Sequence, residues 1–275
     1  MARFLVVGSA HVDRVWRLCG PLVPGGRQRY ERVQERYGGG AFHTGSVLLA
    51  LGHRVDLMTA LSDDAAGRRH RRALGDRGFG LDGVETVDMP TAPLEILLDP
   101  AGERTILLPA VPRRTTADLP GEGADLVYLN VRDAPGRPET LDRLGHRVVS
   151  QMPLDTGQRR PARILVASRS DWPGIADADL LARARAVAGP AFEALVVTAG
   201  RAAVTVLAGA DRASIPVPPL PDGTDTTGAG DFFAAGLLDG LARALPPAEA
   251  ARVGAATAGR VLADRCRYLD DRIAE

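Results

Sequence analysis

Short apolar runs alternate with helix-patterned segments along most of the chain, and this alternation restricts its fold more than any other feature. Phe4–Gly8 (FLVVG) is a continuous apolar run ending in glycine, which suits a strand buried on both faces of a parallel sheet. Strand-like runs recur at Arg54–Ala60, Leu126–Asn130, Arg147–Ser150, Arg163–Ala167 and Ala194–Thr198. Helical patterns lie between and after them: His43–Leu51 closed by Gly52, Ala65–Gly78, Glu139–Gly145, Ala176–Ala188, Gly228–Leu245 and Ala248–Asp264. The order predicts an α/β fold of three layers, α/β/α, around a mostly parallel sheet. Two stretches break the pattern. Arg27–Tyr37 reads as an exposed strand pair, and Leu94–Asp99 with Arg104–Leu108 reads as a hairpin across Pro100-Ala101-Gly102. They predict a small separate β-sheet, with strands at about 14–37 and 91–109, projecting from one domain that spans 1–275. Ala202–Ala208 is expected in a further hairpin.

Composition excludes several function classes. The 34 acidic and 34 basic residues cancel, whereas nucleic-acid binders carry a basic excess, so no nucleic-acid partner is expected. There is no lysine, so every basic residue is arginine. A Walker A loop needs a lysine on the phosphates, and that class is excluded. Cys19 and Cys266 are far apart and have no metal-like spacing, so reduced thiols are expected. The amino terminus lacks a signal-peptide pattern, and no run of about 18 apolar residues exists. These features predict a cytoplasmic protein with no membrane partner.

Residues 225–231 read Asp-Thr-Thr-Gly-Ala-Gly-Asp. They precede Phe232, Phe233, Gly236, Leu237, Gly240, Leu241 and Leu245, which have helix-core spacing, so a helix begins near Gly228–Asp231. The first amides of a helix have no partners within it and sit at its positive end. Glycines at 228 and 230 remove side chains that would hold an oxygen anion off. Asp231 in that first turn lies beside any phosphate so held, as a general base for phosphoryl transfer must. An isolated Gly-x-Gly-Asp also starts ordinary helices; the full heptapeptide is much more specific.

Asp225–Leu238 (DTTGAGDFFAAGLL) closely resembles the carboxy-terminal signature of the ribokinase-like, or PfkB, carbohydrate kinases. Gly38-Gly39-Gly40-Ala41-Phe42-His43 with Leu51-Gly52 resembles the family's glycine-pair motif, and Gly8–Asp13 its opening strand and loop. Thr198-Ala199-Gly200 is similar to its nucleotide-contacting strand end, and Gly102–Thr105 to part of its lid sheet. The resemblance implies an ATP-dependent kinase that phosphorylates a hydroxyl of a small polyol: a sugar, sugar acid or nucleoside. It makes Asp231 the base and Gly228, Ala229 and Gly230 the anion hole. Asp13, Gly39 and His43 would face the acceptor, and Thr198, Gly200 and Thr227 would lie by ATP. Mg2+ would arrive with ATP, Asp171 being its carboxylate, and Asp225 would lie near a monovalent cation such as K+. Relatives often form a homodimer through the lid, but the hairpins here are short, so a homodimer is possible and the oligomeric state stays open.

Three positions depart from the family pattern. His43 replaces an asparagine and is read equally as an acceptor contact or as a non-binding residue. Gly40 replaces a long polar residue and removes one acceptor contact. Ser168-Arg169-Ser170-Asp171 stands where the family often has Asn-x-x-Glu, with Arg169 read as a surface residue. These departures motivate an alternative: a catalytically weak sensor of the same fold that binds sugar or nucleotide. His11, His53, His70 and His146 are expected at the surface or as satisfied polar residues, and Trp16 and Trp172 as packing residues.

Overall fold

The computed structural model describes residues 1–109, 118–120, 123–131, 138–155, 157–269 and 271–273. Its elements run β1 (Arg3–Gly8), β2 (His11–Leu18), β3 (Tyr30–Gly38), α1 (Gly40–Ala50), β4 (Arg54–Ser62), α2 (Ala65–Asp76), β5 (Gly80–Val87), β6 (Leu94–Leu98) and β7 (Arg104–Leu107). There follow β8 (Leu126–Asn130), α3 (Pro138–Leu144), β9 (Val148–Gln151), β10 (Ile164–Ser168), α4 (Asp177–Ala188), β11 (Ala194–Ala199), β12 (Ala202–Ala208) and β13 (Asp211–Ile215). Helices α5 (Ala229–Ala242), α6 (Pro247–Ala263) and α7 (Arg265–Leu269) close the chain.

The large sheet has the order β13-β12-β11-β10-β9-β8-β1-β4-β5. Its strands from β11 to β5 pair in parallel, while β12 and β13 add an antiparallel hairpin at one edge. Two apolar clusters cover its two faces, as the continuous apolar strand runs demand. From β1 the chain moves outward to β4 and β5, then returns to the other side of β1 and proceeds from β8 to β11. The order therefore reverses between β1 and β8. Ligands of open α/β sheets bind outside the carboxyl ends of the strands at such a reversal. Gly8 and Asn130, the last residues of β1 and β8, are register partners there.

A four-stranded sheet in the order β3-β2-β6-β7 stands apart from the large one. The small separate sheet is thus present, but two of its details differ from expectation. Arg27–Tyr37 contributes one strand rather than a pair, and its partner is His11–Leu18. That stretch hides its strand character because Asp13, buried on the inner side, interrupts the apolar alternation. Gly80–Val87 and Asp211–Ile215 are further strands without a continuous apolar run, because both lie at edges of the large sheet.

Helix α5 packs against α6 at very short range. A Cβ on Gly240 would lie 2.7 Å from Ala250 Cα, and one on Gly236 would lie 2.6 Å from Thr257 Cβ. Phe232, Leu237 and Leu238 on α5 are fully buried. Burial of each such side chain contributes about 1.5–3 kcal/mol. This packing fixes the axis of α5 and therefore where its first turn points. Alanine is the better helix former by about 1 kcal/mol, yet at position 240 its methyl meets backbone that cannot rotate away. Gly240→Ala is expected to lower stability by about 1–3 kcal/mol, read as a lower midpoint in urea denaturation.

Candidate active site

Asp231 lies in the first turn of α5, at the sheet reversal. Its Oδ1 accepts from Asn130 Nδ2 at 2.7 Å, and its Oδ2 lies 3.3 Å from His43 Nδ1. Its side chain keeps 20% of its exposure, so the carboxylate is anchored without being sealed in. Thr44 Oγ1 donates to the Asp231 carbonyl, which ties α1 to α5. Gly40 permits the arrangement: a Cβ there would sit 2.0 Å from Asn130 Nδ2 and 3.1 Å from Asp231 Oδ1. The glycine therefore makes room for the Asn130–Asp231 contact. Its effect is more than the loss of one acceptor contact, as the sequence comparison had it.

Helix α5 starts from Gly228 in the left-handed conformation (φ 82°) and has no side-chain cap. Of the three amides expected to line an anion hole, that of Ala229 is committed elsewhere and donates to Thr226 O at 3.0 Å. Among the described residues, the amides of Gly228, Gly230 and Asp231 have no backbone partner. The glycines also divide their roles. A Cβ on Gly228 would lie 2.8 Å from His43 Nδ1, so its missing side chain makes room for histidine. Around Gly230 a Cβ would meet nothing within 4 Å, so this is the glycine open to a ligand. Uncapped amides at a helix start attract an anion.

Asp13 is buried on β2, within a strand rather than a loop. Burial pushes its carboxyl upward, but a hydrogen bond and charge from His11, together with Arg36, outweigh this and hold it below the ordinary value. His11 Nε2 lies 3.0 Å from Asp13 Oδ1, and Arg36 Nε lies 3.8 Å from Oδ2. Gly39 (φ 101°) precedes α1, and its carbonyl accepts from the His43 amide. His43 is buried and touches Asp231 and Arg265, an arrangement that neither reading of this residue anticipated.

Both carboxylate oxygens of Asp225 already have a donor. Arg36 Nη1 donates to its Oδ2 at 2.9 Å and the Thr227 amide to its Oδ1 at 2.9 Å. Against the upward push of burial, the Arg36 charge and the Thr227 hydrogen bonds hold this carboxyl well below the carboxylate range. Thr227 is buried, and its carbonyl accepts from Arg265 Nη1 at 2.8 Å. Asp171 is exposed on a turn after β10, and Arg169 pairs with Asp177. Among the described residues no three His, Cys, Asp or Glu side chains cluster as a metal cage. Magnesium bound through nucleotide phosphates and water needs no such cage. Thr198 ends β11 beside Ser168, with its hydroxyl on Ala167 O at 3.3 Å. Gly200 (φ 60°) turns the chain just beyond. Both lie along the strand-end edge, separate from the Asp231 cluster.

The small sheet also reaches this loop. Arg104 Nη1 donates to Thr226 Oγ1 at 3.0 Å, and a Cβ on Gly102 would lie 3.0 Å from Thr224 O. Sequence reasoning missed Asn130, Arg36 and Arg265. Asn130 carried a signal, being a polar residue at the carboxyl end of an apolar strand.

The sequence profile of the pfkB family carbohydrate kinases matches residues 162–265. The ATP-dependent ribose-1-phosphate kinase of Halopiger xanaduensis is 29% identical over 287 aligned positions, covering 94% of this chain and 93% of that protein. Burkholderia thailandensis nucleoside kinase, solved with inosine, superposes with a TM-score of 0.74 at 18% identity, covering 96% of this chain and 93% of that one. Methanocaldococcus jannaschii nucleoside kinase, an archaeal member of the ribokinase family, gives 0.72 at 18% identity, covering 99% and 95%. The fold is that of the ribokinase-family structures, and the carboxy-terminal region resembles the pfkB family carbohydrate kinases. Within this ribokinase-like chain, the matched region includes α5 and Arg265 but ends before Asp271. No helix among the described residues is long and apolar enough to cross a membrane.

Removing Arg36 leaves Asp225 buried without its partner, which is expected to cost about 3–5 kcal/mol. The Asp225 value is depressed in the folded state. Its stabilisation is therefore complete above the unfolded value, about pH 4, and fades as pH falls towards the folded one. Without Arg36 the carboxyl binds a proton more readily. The deficit of Arg36→Met in urea denaturation is thus expected to be largest at pH 7 and to narrow at pH 4. An equal deficit at both would remove Asp225 as the partner that matters.

Proposed function

We propose that this chain is an ATP-dependent kinase that transfers the γ-phosphoryl group to a hydroxyl of a small sugar-type acceptor. One observation carries the reading: at the sheet reversal, an anchored carboxylate stands beside the unpaired amides that open α5. Asp231 takes the proton of the acceptor hydroxyl, whose oxygen attacks the γ-phosphorus in line as the bond to the β,γ-bridging oxygen breaks and ADP leaves. The amides of Gly228, Gly230 and Asp231 face the transferred charge, aided by the positive end of the helix. Asp13 accepts from acceptor hydroxyls, since its two oxygens suit neighbouring donors. Gly39 brings backbone close to the acceptor. Thr198 and Gly200 lie on the nucleotide side, and the small sheet acts as a lid through Arg104. Mg2+ bound with the nucleotide would supply neutralisation of its phosphate charge.

The ribose-1-phosphate kinase likeness puts ribose 1-phosphate first among acceptors to assay, ahead of free sugars, sugar acids and nucleosides. Loss of the base in Asp231→Asn is expected to cut kcat by about 10²–10⁴-fold while ATP binding, followed by calorimetry, stays near wild type. Unchanged turnover in that variant would defeat the assignment. Gly40→Ala pushes the Asn130 amide off Asp231, and displacement of about 1 Å can cost on the order of 10²-fold. Its kcat is expected to fall on that scale, with the melting temperature read in parallel to separate activity from stability.

A further inference from the structure

We propose that Arg265 locks His43 in the tautomer protonated at Nδ1, making His43 a donor that positions the carboxylate of Asp231; the functional consequence rests on the reading of Asp231 given above. The argument begins with arginine, which has five N–H donors, no acceptor, and a charge it keeps throughout the protein pH range. Arg265 Nε donates to Asp271 Oδ2 at 2.9 Å and Nη1 to Thr227 O at 2.8 Å. Nη2 then faces His43 Nε2 at 3.3 Å. A donor facing an imidazole nitrogen requires a lone pair there.

A neutral ring with its lone pair on Nε2 carries its hydrogen on Nδ1. That atom lies 3.3 Å from Asp231 Oδ2. The other protonation states fail. With the hydrogen on Nε2, two donors collide at Arg265 and a lone pair faces a carboxylate. With both nitrogens protonated, a second cation points a hydrogen at the guanidinium. Only the Nδ1–H form satisfies both contacts. Water has little part in the choice, because His43 is buried and its ring meets Phe232 edge-on at 5.5 Å. The charged groups around the ring are Asp231 on α5, Arg265 on α7 and Asp13 on β2.

Asp231 thereby has a donor on each oxygen, Asn130 from the sheet and His43 from α1, which fixes the plane of the carboxylate. His43 and Arg265 are thus positioning residues. Arg265 also holds the Thr227 carbonyl, so one side chain of α7 orders both the proposed base and the anion loop.

The tautomer can be read directly by long-range 1H–15N correlation on protein labelled with 15N-histidine, without ligands, with His43 assigned by the signal that His43→Asn removes. The expected spectrum has a protonated-type Nδ1 and an unprotonated-type Nε2, and the pattern changes in Arg265→Met. A protonated Nε2 in the wild-type protein overturns the proposal, and this arm stands whether or not any acceptor is phosphorylated. In kinetics, His43→Leu is expected to lower kcat about 10–100-fold, the scale for losing an orienting partner. Acceptor KM should stay within about twofold of wild type, and His43→Asn, which restores an N–H donor, should recover much of the loss. Full kcat in His43→Leu, with Asp231→Asn inactive, would overturn the positioning role and leave the kinase reading intact.

Discussion

The hydrogen bond between Asn130 and Asp231 joins the two halves of this structure. One partner is the last residue of a central strand, and the other lies in the first turn of a helix about a hundred residues later in the chain. The strand order reverses between β1 and β8, and α1 and α5 both begin there. Both helices start from glycines with no side-chain cap, so two positive helix ends converge near one carboxylate. The convergence needs close approach, and the absence of a side chain at Gly40 provides it.

A chain of alternating charge surrounds that centre. Asp13, Arg36 and Asp225 follow one another from the small sheet to the loop before α5, and Arg265 with Asp271 continues on the far side of Thr227. Taking such charges out of water is costly, and only partners of good geometry offset it. The arrangement is therefore poor evidence for added stability and better evidence for a constraint on shape. It sets the small sheet, the loop before α5 and the carboxy-terminal segment in one mutual position. Gly38 belongs to the same constraint, because a Cβ there would lie 2.3 Å from Asp13 Oδ2.

The architecture was legible because its cause is local. Continuous apolar runs mark strands covered on both sides, and glycines after helix-patterned segments mark their ends. The place of Gly230 and Asp231 at a helix start was legible for a related reason, since helix spacing shows in a few consecutive residues. What escaped depends on distant pairing. Arg36 sits in a strand crowded with charges, where nothing local marks the one that turns inward to Asp225. Arg265 follows the last long helix and touches the site only through tertiary contact. The roles within Asp225–Gly230 were also redistributed by neighbours. Arg36 holds Asp225, His43 fills the space beside Gly228, and a turn takes the amide of Ala229. Spacing shows that amides are present at such a place but does not show which of them another residue has already engaged.

The absence of lysine, which base composition explains well enough, has a consequence in this site. Arg265 contacts a carboxylate, a backbone carbonyl and an imidazole at once, and does so through three different nitrogens. A planar guanidinium holds those donors in fixed relative directions, whereas an ammonium offers them from a single flexible point. Lysine at this position would keep the charge but could not span Asp271, Thr227 and His43 together. The donor facing His43 would then compete with the other two acceptors, and the ring would lose its reason to keep Nε2 unprotonated. Arginine at position 265 thus carries information that charge alone does not, and that information passes through His43 to the orientation of Asp231.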